Sequence, residues 1–285
     1  MFLLLLVSFI WAFSFGLIGN KLAGVDPTAI AVLRLALALL AFLPFFRRGA
    51  LDARTALRLV LIGAVQFGAM YLLYLRAYLD LPSYAVALFT ITTPLYVALF
   101  DAALERRWRV RFVLAALLAI AGAGLLVFAS SIAGKNVPRG ILLVQLSNIC
   151  FAAGQLAWRR ARTHLPAAVS DASVFALPYA GAFAVSAGLS IFTVQWSAVH
   201  LTPAQVMIIL YLGILASGVC FFWWNVGATH VNAGTLAAFN NAKIPLAVAC
   251  SLIFFHEQAD LPRLLVSGVL LALAVWIARR RTAPS

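Results

Sequence analysis

Apolar residues run along this chain in blocks too long for a soluble fold, broken at regular intervals by short polar or proline-containing stretches. The breakers are Gly24-Val25-Asp26-Pro27, Arg47-Arg48-Gly49, Leu81-Pro82, Gly134 to Pro138, Leu165-Pro166, Thr202-Pro203 and Leu261-Pro262. Ten blocks approach the ~20 residues that a helix needs to cross a bilayer. We number them spans 1 to 10: residues 2–22, 28–46, 57–79, 82–104, 110–131, 138–160, 172–192, 203–228, 233–255 and 261–280. The pattern predicts an all-α polytopic membrane protein. The first block begins at Phe2 with no basic lead and no small-residue cleavage site, so it reads as span 1 rather than a removed signal.

Polar residues interrupt the blocks at a few informative places. Span 9 carries Asn240, Asn241 and Lys243 near its middle, with Pro245 removing a backbone donor just beyond. A charge at that depth costs about 2.5–3.5 kcal/mol on insertion scales, so it is expected to face a cavity or a partner. Span 6 places Gln145, Asn148, Gln155 and Trp158 at helical spacing, and span 3 stacks Tyr71, Tyr74 and Tyr78. Span 1 adds Trp11 and Ser14. Other polar groups take plainer readings. Arg34, six residues into span 2, is expected to snorkel or pin a helix pair. Thr90, Thr92 and Thr93 are placed to satisfy carbonyls freed by Pro94. The glycines of span 5 suit close packing, and Trp223-Trp224 reads as an interfacial belt.

Composition strengthens the membrane reading. Hydrophobic residues make up 65% and charged residues 10% of the chain, where soluble domains have roughly half and a quarter. The net charge of +13 lies in clusters between spans, which argues for topology and against a nucleic-acid partner. With the N-terminus in the cytoplasm, the inner side holds Arg47, Arg48, Arg54, Arg58, Arg106, Arg107, Arg109, Arg111, Arg159, Arg160, Arg162 and Arg279 to Arg281. The outer side holds only Lys21, Arg76, Lys135, Arg139 and Arg263. Both termini are therefore expected inside. Cys150, Cys220 and Cys250 lie within spans and read as small core residues. The four histidines sit at helix ends without ligand spacing, so no metal or cofactor is expected.

The chain also repeats. Laying Pro94 on Pro245 superposes span 4 on span 9, matching Ala87 with Ala238, Leu95 with Leu246 and Ala98 with Ala249; Glu105 meets Glu257 after a one-residue slip. Ser8-Phe9-Ile10 in span 1 echoes Ser147-Asn148-Ile149 in span 6. Five helices per half is odd, so the second copy must be inverted in the membrane. The expected organisation is one membrane domain of two inverted five-helix repeats, residues 1–133 and 134–285. Inverted repeats with proline-interrupted helices in matching places mark secondary transporters.

These features resemble the drug/metabolite transporter superfamily, and within it the ten-helix EamA-type exporters. The residues carrying the resemblance are the Pro94…Glu105 and Pro245…Glu257 pairs, the Ser8-to-Phe15 opening with Trp11, Arg34, and Gly122 and Gly124. Ser14 stands where an Asn is usual. Among these exporters the chain resembles the YddG-type exporters of aromatic amino acids. The resemblance implies a cavity walled by spans 1, 3, 4, 6, 8 and 9, with spans 5 and 10 behind, in a multi-pass protein of the cell inner membrane.

The function expected is therefore solute transport, by alternating access, of an aromatic or large neutral amino acid. The substrate-binding residues expected are Lys243, Asn240, Asn241, Trp11, Tyr71, Tyr74, Tyr78, Asn148, Gln155 and Trp158, with Pro94 and Pro245 as hinge or gate. Another small anionic or zwitterionic metabolite is the alternative. No mid-span nucleophile is paired with a base, which disfavours an intramembrane enzyme; a non-transporting receptor or scaffold is the other class. All eight acids lie at span ends or in loops. The flux is accordingly expected to be facilitated diffusion, and any proton coupling would run through Lys243. The oligomeric state is open, a monomer included.

Overall fold

Hydrocarbon offers no partner to a backbone amide, so each apolar block closes its own hydrogen bonds as a helix. The computed structural model describes residues 2–47, 51–104, 134–230 and 233–279, with scattered positions between 114 and 125; side chains at 3, 233–242, 275 and 278–279 are outside that description. Among the described residues, seven helices are long and apolar enough to cross a bilayer: Leu4–Lys21, Pro27–Phe45, Ala53–Ala77, Ser83–Leu104, Val137–Thr163, Asp171–Thr193 and Pro203–His230. They are spans 1 to 4 and 6 to 8. Spans 9 and 10 are the helices Ala233–Phe254 and Leu261–Arg279. Span 5 falls mostly outside the described residues. The protein is an all-α polytopic membrane protein.

The breakers act as helix caps. Asp26 accepts from the backbone amides of Thr28 and Ala29 at 2.7 and 2.9 Å, with Pro27 in the first turn where its missing N–H costs nothing. Thr202 and Gln205 form a reciprocal capping box ahead of span 8. Asn136 caps span 6 by accepting from Arg139 N.

Helix contacts run in a closed order: 1, 9, 4, 6, 3, 7, 2, 8 and back to 1, with span 10 against span 4. The face turned outward is apolar, as in Ile191, Phe192, Leu265 and Ile253. The core is aromatic, with Trp11, Phe67, Phe151, Tyr179, Phe221 and Trp224 buried together. Gly122 of span 5 meets span 10, where Ser267 Oγ donates to its carbonyl at 2.7 Å. That matches the packing role expected of this glycine; Gly124 lies outside the described residues.

Spans 3 and 7 cross with their backbones in contact. A methyl group on Gly63 would overlap the Pro178 carbonyl, and one on Gly181 the Val60 carbonyl. Without a hydrophobic drive between helices in lipid, such close approach is what van der Waals attraction needs. Gly63→Val is expected to destabilise the protein by about 1–3 kcal/mol through overpacking. Gly188→Val on span 7, where an added Cβ meets nothing within 4 Å, should be close to neutral. Thermal unfolding in detergent checks the pair: a lower midpoint is expected for the first alone.

Candidate functional site

Turns in spans 1, 2, 3, 4 and 8 depart from α-helical geometry, and residues of two of them, Ile18 and Thr90, line one cavity. Span 4 tightens to a 3-10 turn at Thr90–Thr92 before Pro94. Span 8 widens to π-helix over Tyr211–Val219, span 3 over Ala64–Ala69, and span 1 over Leu17–Lys21. An irregular turn frees carbonyls that hydrocarbon cannot solvate, and in spans 4 and 8 side chains take them up.

In span 4, Pro94 has no N–H for the Thr90 carbonyl, and Thr93 Oγ1 donates to it at 2.8 Å. The Phe89 carbonyl accepts from Asn148 Nδ2 at 2.9 Å, from Thr92 Oγ1 at 3.1 Å and from Gln145 Nε2 at 3.3 Å. Thr93 thus does what the sequence predicted of it, while Thr90 Oγ1 donates instead to the Ala87 carbonyl. In span 8, Trp11 Nε1 donates to the Ala216 carbonyl at 2.8 Å. The Tyr179 hydroxyl lies 2.8 and 2.6 Å from the Ser217 and Gly218 carbonyls.

The cavity these helices enclose, about 80 Å3, is lined by spans 1, 2, 3, 4, 6, 8 and 9. Trp11, Ser14, Phe15 and Ile18 face it from span 1, and Met70, Tyr71 and Tyr74 from span 3. Thr90 and Thr93 come from span 4, Ser147, Asn148 and Phe151 from span 6, and Phe221 from span 8. Two cations complete the lining, Lys243 from span 9 and Arg34 from span 2. Lys243 is 7% exposed, and its Nζ stands 4.9 Å from the centre of the Trp11 ring. Attraction of an ammonium to a desolvated indole face is worth up to about 2 kcal/mol. Trp11 in turn packs on Phe221 and Trp224, at 4.9 and 5.2 Å between ring centres.

Lys243, Trp11, Tyr71, Tyr74 and Asn148 are therefore gathered at one place. Tyr78, Gln155 and Trp158 do not line it. Tyr78 sits one turn further along span 3, its hydroxyl 2.6 Å from that of Tyr74. Gln155 and Trp158 lie two to three turns beyond Asn148, and Trp158 is fully buried against Phe175 of span 7. The span 6 stripe drifts around the helix, so its far end packs into the bundle. The side chains of Asn240 and Asn241 are outside the described residues. Trp224, expected in a membrane belt, is instead fully buried behind Trp11.

Of the two readings the sequence left for Arg34, it bridges a helix pair, spans 3 and 8, and does not snorkel. At 2% exposure it reaches neither surface: Nε donates to Ser217 Oγ at 3.2 Å, Nη2 to the Tyr71 hydroxyl at 2.7 Å, and the guanidinium lies 4.4 Å from the Tyr71 ring centre. Arginine and lysine thus share a cavity to which the described residues contribute no carboxylate.

One acid sits at the end of the bundle beyond Tyr78. His256 takes a left-handed turn, φ 53°, after span 9. The following Glu257 accepts from Asn20 Nδ2 at 2.7 Å and from the backbone amides of Ser83 and Tyr84 at 3.3 and 3.0 Å. It joins spans 1, 4 and 9.

A sequence profile described as the EamA-like transporter family matches residues 1–128 and 138–280. The chain is 39% identical to the biotin transporter of Salmonella typhimurium, over 100% of this chain and 94% of that protein. It is 38% identical to the Escherichia coli K12 biotin transporter, with the same coverage. It is 37% identical to a probable biotin transporter of Pseudomonas aeruginosa, over 97% of this chain and 96% of that one. A solved crystal structure superposes with a TM-score of 0.66 at 19% identity, covering 98% of this chain and 94% of the other, and so shares the fold.

The Trp11 contact tests the site's construction. Trp11→Phe keeps the ring but leaves the Ala216 carbonyl unpaired, at an expected cost of about 1–3 kcal/mol. A lower unfolding midpoint is expected for Trp11→Phe than for the control Trp223→Phe.

Proposed function

The chain belongs to the EamA-like transporter family, and from that premise we propose that it carries biotin, or a close carboxylate relative, across the bilayer. It is a multi-pass membrane transporter and not an enzyme. The observation that carries the substrate reading is the charge of the cavity. Arg34 and Lys243 both face it, and the described lining holds no acid. Biotin presents one carboxylate, an aliphatic arm and a cyclic urea. The carboxylate suits the cations, and the arm suits Trp11, Phe15, Phe151 and Phe221. The hydroxyls of Ser14, Thr90, Thr93 and Ser147 each give their proton to a carbonyl of their own helix. Their oxygens keep lone pairs that can accept from urea N–H groups. The names of the relatives point the same way.

The same hydroxyl oxygens favour a second reading. They can accept from an α-ammonium, so an aromatic or large neutral amino acid is the competing solute, with its carboxylate at the same cations.

The two matched segments of the family profile support the two-repeat organisation, 1–133 and 134–285. So does the helix contact order. Exchanging span 1 with 6, 2 with 7, 3 with 8 and 4 with 9 turns the contacts 1–9, 3–6 and 2–8 into 6–4, 8–1 and 7–3, which also occur. Alternating access would then be rocking of these halves about the cavity, with Pro94 and Pro245 as matched hinge points. No coupling ion is needed. Net flux would follow the solute gradient, outward when the cytoplasmic pool is larger.

Flux in proteoliposomes tests the substrate. Labelled biotin should be taken up and displaced by excess biotin more readily than by phenylalanine or tryptophan; the reverse order would favour the amino-acid reading. Lys243→Met is expected to fold, since it relieves a burial cost, and to slow uptake of the free acid more than that of its amide. Unchanged uptake would leave Lys243 a structural lysine. Flux that ignores an imposed pH gradient is expected; concentrative uptake driven by that gradient alone would reject facilitated diffusion. Topology is checked separately, with cysteines introduced at Lys135 and Ser285 expected to label from opposite sides of the membrane.

A further inference from the structure

We propose that Arg34 is the residue that recognises the solute's carboxylate, through its Nη1 nitrogen. The inference rests on the reading that the cavity binds a carboxylate-bearing solute, and it assigns that recognition to a residue of span 2.

Arg34 is held in place by a directional chain of hydrogen bonds. Ser217 Oγ donates to the Leu212 carbonyl at 2.7 Å. Its proton is committed there, so in the 3.0 Å contact between the two hydroxyls Tyr71 is the donor and Ser217 the acceptor. Arg34 completes the chain from above, with Nη2 on Tyr71 and Nε on Ser217. Two of the three guanidinium nitrogens are used. Nη1 is buried and has no hydrogen-bond partner among the described residues, while Arg34 itself lines the cavity.

A structural role accounts poorly for this arrangement. Were Arg34 only a pin between spans 3 and 8, Tyr71 and Ser217 could make that contact alone, since they already bond each other. Were it a snorkelling residue, it would not be 2% exposed. The ion pairs among the described residues, Arg139–Asp80, Arg162–Asp171 and Arg263–Asp260, lie at span ends and leave Arg34 without a counter-charge. A buried cation with one unused donor and no acid is costly. A carboxylate entering the cavity supplies both missing parts, the acceptor and the opposite charge. Lys243 adds to the positive field, but its ammonium is turned to the Trp11 face and has no planar fork.

The experiment compares the wild type, Arg34→Gln and Arg34→Lys in nanodiscs with acid–amide pairs. Biotin against biotinamide reads the proposed solute by competition binding. Pentanoate against pentanamide at high concentration, read by the thermal unfolding midpoint, needs no assumption about biotin. The wild type is expected to prefer the acid in both pairs. Arg34→Gln is expected to lose about tenfold or more in affinity for biotin, with biotinamide unchanged, and to lose the stabilisation by pentanoate. Arg34→Lys should fall between them, keeping the charge without the fork, and serves if Arg34→Gln does not fold. Equal stabilisation of the wild type by pentanoate and pentanamide overturns the proposal. So does an acid preference that survives intact in Arg34→Gln or Arg34→Lys, which would pass recognition to Lys243. A wild type that ignores biotin but shows an Arg34-dependent pentanoate preference would sink only the biotin reading.

Discussion

The bilayer's refusal to solvate a free carbonyl is the constraint on which this structure depends. A transporter must bend or open its helices somewhere, and every departure from the α-helix releases backbone groups. In spans 4 and 8 side chains take up such groups. The carbonyls of Phe89 and Thr90 take Asn148, Gln145 and the threonines; those of Ala216, Ser217 and Gly218 take Trp11 and Tyr179. The partners come from other spans as often as from the same one. Satisfying the broken helices is therefore also what fastens spans 4 to 6 and spans 8 to 1 and 7. The cavity is where these fastenings meet, which is why polar groups stand in a wall that is mostly apolar.

The second constraint is charge. Lys243 draws on an indole face and Arg34 on a tyrosine ring and two hydroxyls. The contacts of Arg34 hold it in place but leave its electrostatic demand for an anion, since no described acid faces it. A protein that binds its solute through such a demand gains affinity from a desolvation cost already met on folding.

The spans, their caps and most of the cavity wall were legible in the sequence because they follow from length, period and breaker chemistry. Asp26-Pro27 and Thr202-Pro203 start helices where the pattern put them, and Lys243, Trp11 and Asn148 meet as their depth suggested. The sequence left Arg34 between snorkelling and pinning a helix pair because depth in a helix says nothing of azimuth. Six residues from an end, a side chain can reach the surface or turn inward, and only the Tyr71–Ser217 pair on neighbouring spans decides it. The π-helical turns left no mark in the sequence, since a widened turn depends on partners from other spans, Tyr179 38 residues away and Trp11 205. Gln155 and Trp158 shared a spacing with Asn148 yet left the cavity. A stripe at 3, 7 and 3 residues rotates around a straight helix, and the site is shorter than the stripe.

Glu257 carries a consequence of a different kind. One carboxylate collects an amide side chain from span 1 and two backbone amides at the head of span 4, all at one end of the bundle. The three donors converge on the same two oxygens, so any movement of that carboxylate strains all three bonds together. Three helices are thus tied at this end through one side chain rather than along a seam.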